Sequence, residues 1–292
     1  MSFIDVHHHL IGKQHLAGMP DWSLELDKES MDRMGLTNAL LSLPVAGAPE
    51  QTRGINDMIA GLAAKDPKRY GMLACLPSAY VDAALREIEY ACDTLKADGF
   101  CMPSNASGIY IGDDRMDEIL AELNRRSATV LLHPTKAGGE IPSLLVTDLS
   151  TYEYPFETSR AMIDLIYRGK IQKYPNIKWI VSHAGGVLPY IAYRVSTVAQ
   201  ENKAMPLTSD EVMSSLKTLY YDVALSTAPY VFATLKELFG TSHIVFGTDA
   251  PLRYEGPVTE SIQQLKSYRG FDEGEKSKIM SENAKELFPR LR

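Results

Sequence analysis

Short apolar runs alternate with longer stretches of three- and four-residue apolar spacing along the whole chain. A brief apolar run bounded by turn-forming residues reads as a buried strand, whereas apolar residues at i, i+3 and i+4 read as one face of a helix. Eight runs fit the first description: Phe3–Val6, Ala39–Leu43, Met72–Leu76, Gly99–Met102, Thr129–Leu132, Trp179–Ser182, Leu219–Ala224 and Ile244–Gly247. Between them lie amphipathic stretches, among them Val81–Leu95, Met116–Arg126, Glu157–Arg168 and Tyr230–Phe239. Repeated strand–helix units build a parallel sheet. Eight of them predict an α/β fold, a single (β/α)8 TIM barrel, whose usual size is about 250 residues. An open doubly wound sheet ranks second, because its first strand is normally followed by a phosphate-cradling glycine turn. His7-His8-His9 occupies that place here.

Two connections are long for a barrel. Pro134–Pro155, after strand five, contains Gly138-Gly139 and small polar residues, which predicts a substrate lid. Ala46–Thr52 is a shorter candidate for the same rim. Asp272–Leu287 predicts an extra C-terminal helix across the outside or the bottom of the barrel. No internal repeat or Gly/Ser- or Pro-rich linker divides the chain, so residues 1–292 read as one domain.

Composition narrows the function classes. The chain is 45% hydrophobic and 23% charged, and no apolar run approaches the ~20 residues of a membrane helix. Its net charge of −7 comes without basic clusters, which argues against nucleic acid as a partner and leaves small molecules. No charged segment followed by an apolar one precedes Ile4, so a cytoplasmic protein is expected. Cys75, Cys92 and Cys101 form no CxxC pair and are read as packing residues, a nucleophilic Cys101 being the rarer alternative.

In such barrels active sites form at the C-terminal ends of the strands, and metal-competent side chains collect there. His7 and His9 close strand one, His133 strand five, His183 strand six and Asp249 strand eight. Alternation along a strand sends His7 and His9 to one side and His8 to the other. A tag remnant is the competing reading of the triplet, but it is only three histidines long and Asp5-Val6 leads into it. Three imidazoles (His7, His9, His133) and the Asp249 carboxylate suit one divalent metal with a position left open. His183 is then free to act as acid or base near neutral pH. A fifth ligand, or a core imidazole bonded to backbone, is its alternative role.

These motifs carry a resemblance. His-x-His on strand one, His133-Pro134, Ser182-His183-Ala184-Gly185-Gly186 and Gly247-Thr248-Asp249-Ala250-Pro251, with Pro155-Phe156-Glu157-Thr158-Ser159 and Tyr174-Pro175-Asn176 between them, resemble the amidohydrolase superfamily. The branch is the amidohydrolase-related one that contains aminocarboxymuconate semialdehyde decarboxylases. The resemblance implies zinc, or manganese in some members, held by His7, His9, His133 and Asp249, and makes His183 the catalytic histidine. It places Arg194 where a substrate-carboxylate arginine sits and implies a homodimer or larger homo-oligomer; position alone makes Arg194 a solvent-exposed helix residue. The two-metal hydrolases of the superfamily carry a carboxylated lysine on strand four, where this chain reads Gly99-Phe100-Cys101-Met102-Pro103. Thr147 stands about where the muconate enzyme has a substrate-binding tryptophan.

The expected activity is non-oxidative, metal-dependent decarboxylation of a small unsaturated or aromatic carboxylic acid, with His183 and Asp249 moving the proton. The alternatives are mononuclear metal-dependent hydrolysis of a lactone or amide, and a binding barrel without activity. Glu157 and Arg160 open the helix after the lid, where an acidic first turn is favourable through the helix dipole. His8 should face away from the metal, and His15 falls on the first loop. Arg53, Tyr152, Tyr154 and Arg253 are left open as pocket-lining residues.

Overall fold

The computed structural model describes residues 2–11, 21–45, 47–138, 149–252 and 255–291. Eight parallel strands run in chain order: β1 (Ile4–His9), β2 (Asn38–Ser42), β3 (Tyr70–Ala74), β4 (Gly99–Pro103), β5 (Thr129–His133), β6 (Lys178–Val181), β7 (Tyr220–Asp222) and β8 (Ile244–Val245). Each pairs with the next, and the last returns to the first through Val6 N–H to Phe246 O (3.0 Å), Asp249 N–H to His7 O (2.9 Å) and His9 N–H to Ala250 O (2.7 Å). This order without a reversal is that of a nearly closed barrel, and the doubly wound alternative falls. Helices α1 (Leu24–Met34), α2 (Pro49–Ala63), α3 (Val81–Asp93), α4 (Asp117–Arg125), α5 (Glu153–Tyr167), α6 (Leu188–Val198), α7 (Ser209–Thr218), α8 (Pro229–Phe239) and α9 (Glu255–Ser267) surround it. Among the described residues, no helix is long and apolar enough to cross a membrane.

The barrel interior is filled by one layer to which every strand contributes. Ile4, Val6, Leu40, Leu73, Cys101, Leu131, Ile180 and Val245 are fully buried there, with Tyr220 beside them. The C-terminal segment completes this layer: Ala284, Leu287, Phe288 and Leu291 pack into it. That segment is one helical run over Glu273–Leu287, started by an Asp272–Glu275 capping box and wound as a π-helix over Lys278–Glu282. Asn283 Nδ2 donates to Thr241 O (2.8 Å) and Ile244 O (2.7 Å), and Thr129 Oγ1 donates to Leu287 O (3.4 Å), so the segment seats against the beginnings of β5 and β8. It stoppers the bottom of the barrel and leaves the polar strand ends at the top.

One irregularity decides what reaches that top. β1 is in register with β2 at Asp5–Ala39 and again at His8–Leu41, three steps on one strand against two on the other. A bulge of this kind reverses the facing of all later side chains. Without it, His8 would continue the inward row of Ile4 and Val6. With it, Val6 and His7 both lie inward opposite Leu40, His8 turns outward beside Leu41, and His9 turns inward beside Ser42.

Phe288→Ala should remove the stopper and cost about 3–5 kcal/mol, the usual range for emptying a buried aromatic site. Urea unfolding read by circular dichroism measures it. Metal content should stay unchanged, because the lesion lies at the opposite end of the strands.

Candidate metal centre

The bulge aims His7 and His9 into the barrel mouth, and β5 and the loop after β8 bring His133 and Asp249 to meet them. His7 Nε2 lies 3.1 Å from His9 Nε2 and 3.4 Å from Asp249 Oδ1. Asp249 Oδ1 lies 3.2 Å from His9 Nε2 and 3.9 Å from His133 Nε2. Donors bound at ~2.0–2.1 Å to one tetrahedral cation are themselves about 3.3 Å apart, so the spacing fits a shared ion. The three rings stand nearly perpendicular to one another, with centroids 4.9–5.0 Å apart.

The outer nitrogen of each ring fixes which way the inner one faces. His7 Nδ1 is 2.9 Å from Asp222 Oδ2, His133 Nδ1 is 2.8 Å from Pro134 O, and His9 Nδ1 is 2.9 Å from Ser42 Oγ, whose own proton goes to His8 O (3.0 Å). Every Nδ1 therefore donates a hydrogen bond, and every neutral ring presents an Nε2 lone pair to the centre. His133 Nε2 and Asp249 Oδ1 are buried without a hydrogen-bond partner. Orphaned acceptors facing other acceptors are costly in a dry interior, and a cation among them removes the cost. The residues thus fit one divalent ion.

Charge distribution agrees. Burial holds His9 neutral, down to about 3, and lowers His133 too. Burial also works against charge on His7, but the Asp222 and Asp249 carboxylates together outweigh it and raise that imidazole to about 10. Asp249, although buried, is held well below the usual carboxylate range by the imidazoles of His133, His183, His7 and His9. Asp222 is also lowered against its burial, by His7, and accepts from the His183 N–H (2.9 Å) and the Ala224 N–H (3.0 Å). Gly247 makes room for this pair, since a Cβ there would lie 2.9 Å from His7 Cβ and 3.2 Å from Asp222 Cβ.

His183 closes the site from the β6 side. Its Nε2 is 3.6 Å from Asp249 Oδ2, the oxygen turned away from the other three rings, and its Nδ1 is buried without a partner. One ligand atom each of His7, His133, His183 and Asp249 also fall within 4.8 Å of one another. His9 nonetheless stands nearer to Asp249, at 3.2 Å against 3.6 Å, and points at the shared oxygen. Beside the site, a cleft of about 580 Å³ is lined by residues that include Val45, Pro103, Asn105, Thr135 and Lys136. Its lining reaches the end of β5 through Thr135 and includes Pro103, the ladder partner of His133.

Other expected residues sort differently. His8 faces away, between Asp5 and Asp27. Arg194 is exposed on α6 and makes no side-chain ion pair among the described residues, so the single chain does not bring it to the cluster. Glu157 is not in a helix first turn, because α5 begins at Glu153. It is a buried anchor that accepts from Ser104 (3.1 Å), Asn105 (2.9 Å), Tyr110 (3.0 Å) and Arg160. Arg53 pairs with Glu87 and lies over the Tyr90 ring, outside the mouth. Burial pushes the Cys101 thiol well above its ordinary range, which leaves it a packing residue. Residues 139–148 of the expected lid, including Thr147, lie outside the described residues, as do Ala46, His15 and Arg253. Asp222 and Ser42 were missed. An acid inside the apolar Tyr220–Ala224 run was the available signal for Asp222.

A family model described as amidohydrolase matches residues 4–290. The 6-methylsalicylic acid decarboxylase of Penicillium expansum is 35% identical, over 100% of this chain and 98% of that protein. A crystal structure of amidohydrolase II superimposes with a TM-score of 0.89 at 26% identity, covering 98% of this chain and 99% of that one. Dihydroxybenzoic acid decarboxylase from Polaromonas sp., solved with manganese and 2-nitroresorcinol, shares the fold with a TM-score of 0.84 at 21% identity over 100% and 98% of the two chains.

Because His7 keeps a proton up to about pH 10 in the metal-free chain, an incoming cation displaces it. The apparent association constant should therefore rise about tenfold per unit between pH 7 and 9, as read by competition with a chromophoric chelator. Asp222→Asn removes the acceptor behind His7 and should weaken metal binding roughly 10–100-fold in the same assay, with the fold retained.

Proposed function

This chain belongs to the amidohydrolase family, and from that premise we propose that it is a metal-dependent decarboxylase acting on a small aromatic carboxylic acid. The observation that carries the reading is the convergence of three imidazole Nε2 atoms on Asp249 Oδ1, in a chain similar along its full length to a 6-methylsalicylic acid decarboxylase. The nitrogen-rich donor set favours zinc as the resident ion, with manganese, present in the structural neighbour, as the second choice. An ion held by His7, His9, His133 and Asp249 would supply positive charge for the substrate acid.

The chain's own groups do the rest. The cleft beside His133 takes the ring, with Val45 and Pro103 as its apolar wall, and Lys136 adds a cation for the acid. His183 Nε2, facing Asp249 Oδ2, carries the proton that adds to the ring carbon bearing the carboxylate. The carbon–carbon bond then breaks, its electron pair restores the aromatic ring, and carbon dioxide leaves. The left-handed backbone at His183 and Ala184, both with φ of 56°, holds the imidazole out over the strand ends; such strain persists where surrounding structure enforces it. The exposed Arg194, with the exposed Tyr190 and Tyr193 on the same helix, supports a homo-oligomer in which that face is covered.

Metal-loaded protein offered salicylate- and benzoate-type acids should release carbon dioxide and, in deuterated water, place one deuteron on the vacated carbon. His183→Asn should keep one ion per chain and lose roughly 10²–10⁴-fold in turnover, the range of general acid catalysis. Hydrolysis of lactones or amides without gas, or turnover within tenfold of the parent in the variant, contradicts the assignment.

A further inference from the structure

Asp249 has φ of 62°, a left-handed backbone region that a residue with a Cβ enters only at a cost. It also lies beyond the end of β8, where only the seam bonds Asp249 N–H to His7 O (2.9 Å) and His9 N–H to Ala250 O (2.7 Å) tie its backbone to β1 among the backbone bonds of the described residues. A chain of buried groups on the far side of β1 adds to that hold. Thr248 donates to Asp5 twice, from its N–H to Oδ1 (3.0 Å) and from its hydroxyl to Oδ2 (2.5 Å), and its hydroxyl accepts from the Ala250 N–H (3.0 Å). Asp5 Oδ1 also takes the His7 N–H at 3.1 Å. One carboxylate therefore grips the backbone on both sides of the barrel seam, next to a metal histidine on one side and the metal carboxylate on the other.

Asp5 is held in turn. His8 Nδ1 lies 2.9 Å from Asp5 Oδ2, and His8 Nε2 lies 2.8 Å from Asp27 Oδ1 on α1. Asp27 accepts further from Tyr70 Oη (2.9 Å) and Trp22 Nε1 (3.3 Å). Asp5, His8, Asp27 and Thr248 are all buried. With this many partners, Asp5 has little rotational freedom left.

We propose that Asp5, Thr248 and His8 are positioning residues for the metal carboxylate: the histidine that the bulge turns away from the ion steadies, through Asp5, the loop that carries Asp249. This rests on the metal reading above. It assigns a role to the odd histidine of the triplet and makes the tightness of the site depend on α1 through Asp27.

The test measures binding as well as turnover. Thr248→Val keeps the shape and removes both hydroxyl bonds, Thr248→Ser keeps the hydroxyl, and Asp27→Asn weakens the anchor of His8 at a distance from the ion. Zinc dissociation constants come from chelator competition, and the cobalt-substituted protein reports ligand geometry through its visible absorption. Thr248→Val should weaken zinc roughly 10–100-fold and shift the cobalt bands, as loss of a ligand's supporting shell does. Thr248→Ser should return to near the parent value, and Asp27→Asn should weaken binding by less than Thr248→Val. A purely architectural role would lower melting temperature and leave zinc affinity and the cobalt spectrum alone; that result overturns the proposal. Should Thr248→Val fail to fold, Asp27→Asn with parental zinc affinity and cobalt spectrum overturns it equally. A parent chain that takes up no zinc, manganese or cobalt overturns the metal reading and this inference with it. A parent that binds one ion, with both variants binding it equally well, overturns this inference alone.

Discussion

Three imidazole nitrogens lie within 4 Å of one carboxylate oxygen, Asp249 Oδ1, in an interior closed below by side chains, and such a cluster of acceptors is stable only around positive charge. The Asp222 and Asp249 carboxylates already favour such charge on His7, raising its imidazole against its burial. A divalent cation serves all four acceptors at once, where a proton serves two. The surrounding structure is arranged for the cation: each Nδ1 is committed to an outside acceptor, so each ring has a single nitrogen left to offer. Ring orientation is thus fixed before any ion arrives, which lowers the entropy lost on binding.

The extra residue in β1 has consequences beyond the site. By reversing the facing of the strand between Val6 and His8, it lets one short segment fill the inner layer with Ile4 and Val6, supply two of the candidate ligands, and send His8 outward into the layer between sheet and helices. A regular strand would have put His8 in the mouth and His7 and His9 against α1. The bulge lies at the seam where β8 returns to β1, with its short β8 ladder, and buried side-chain bonds from Asp5 supply there part of the cohesion that ladder bonds give elsewhere.

Most of the barrel was legible because a parallel strand buried on both faces has to be an apolar run, and because polar residues at the ends of such runs stand out. Strand ends came out within a few residues, and the candidate residues His7, His9, His133, His183 and Asp249 are each marked by departing from an apolar run. The bulge left no mark, since Val6-His7 carries neither glycine nor proline; the expected separation of His7 and His9 from His8 held, but which side faced the mouth depended on that irregularity. Asp222 was hidden inside a run read only as strand. Its meaning comes from His7, 215 positions away in sequence, and no local pattern encodes such a partner. Glu157 is the opposite case: its structural role stands, but Ser104, Asn105 and Tyr110, remote in sequence, determine its environment in place of a helix first turn.

The charge balance bears on how an anionic acid would reach this centre. The whole chain carries −7, so its long-range field repels carboxylates and capture has to be local. A divalent ion is offset by Asp249 and, through His7, by Asp222, which leaves the immediate cluster close to neutral. Attraction for a second carboxylate would then come from the ion at short range together with cations at the rim, and Lys136 lines the cleft near β5. An arrangement of this kind holds the acid by two short-range contacts set by geometry and gives no general pull on anions. Once carbon dioxide has left, the product lacks the group both contacts grip, so the features that admit the substrate also favour release of the product.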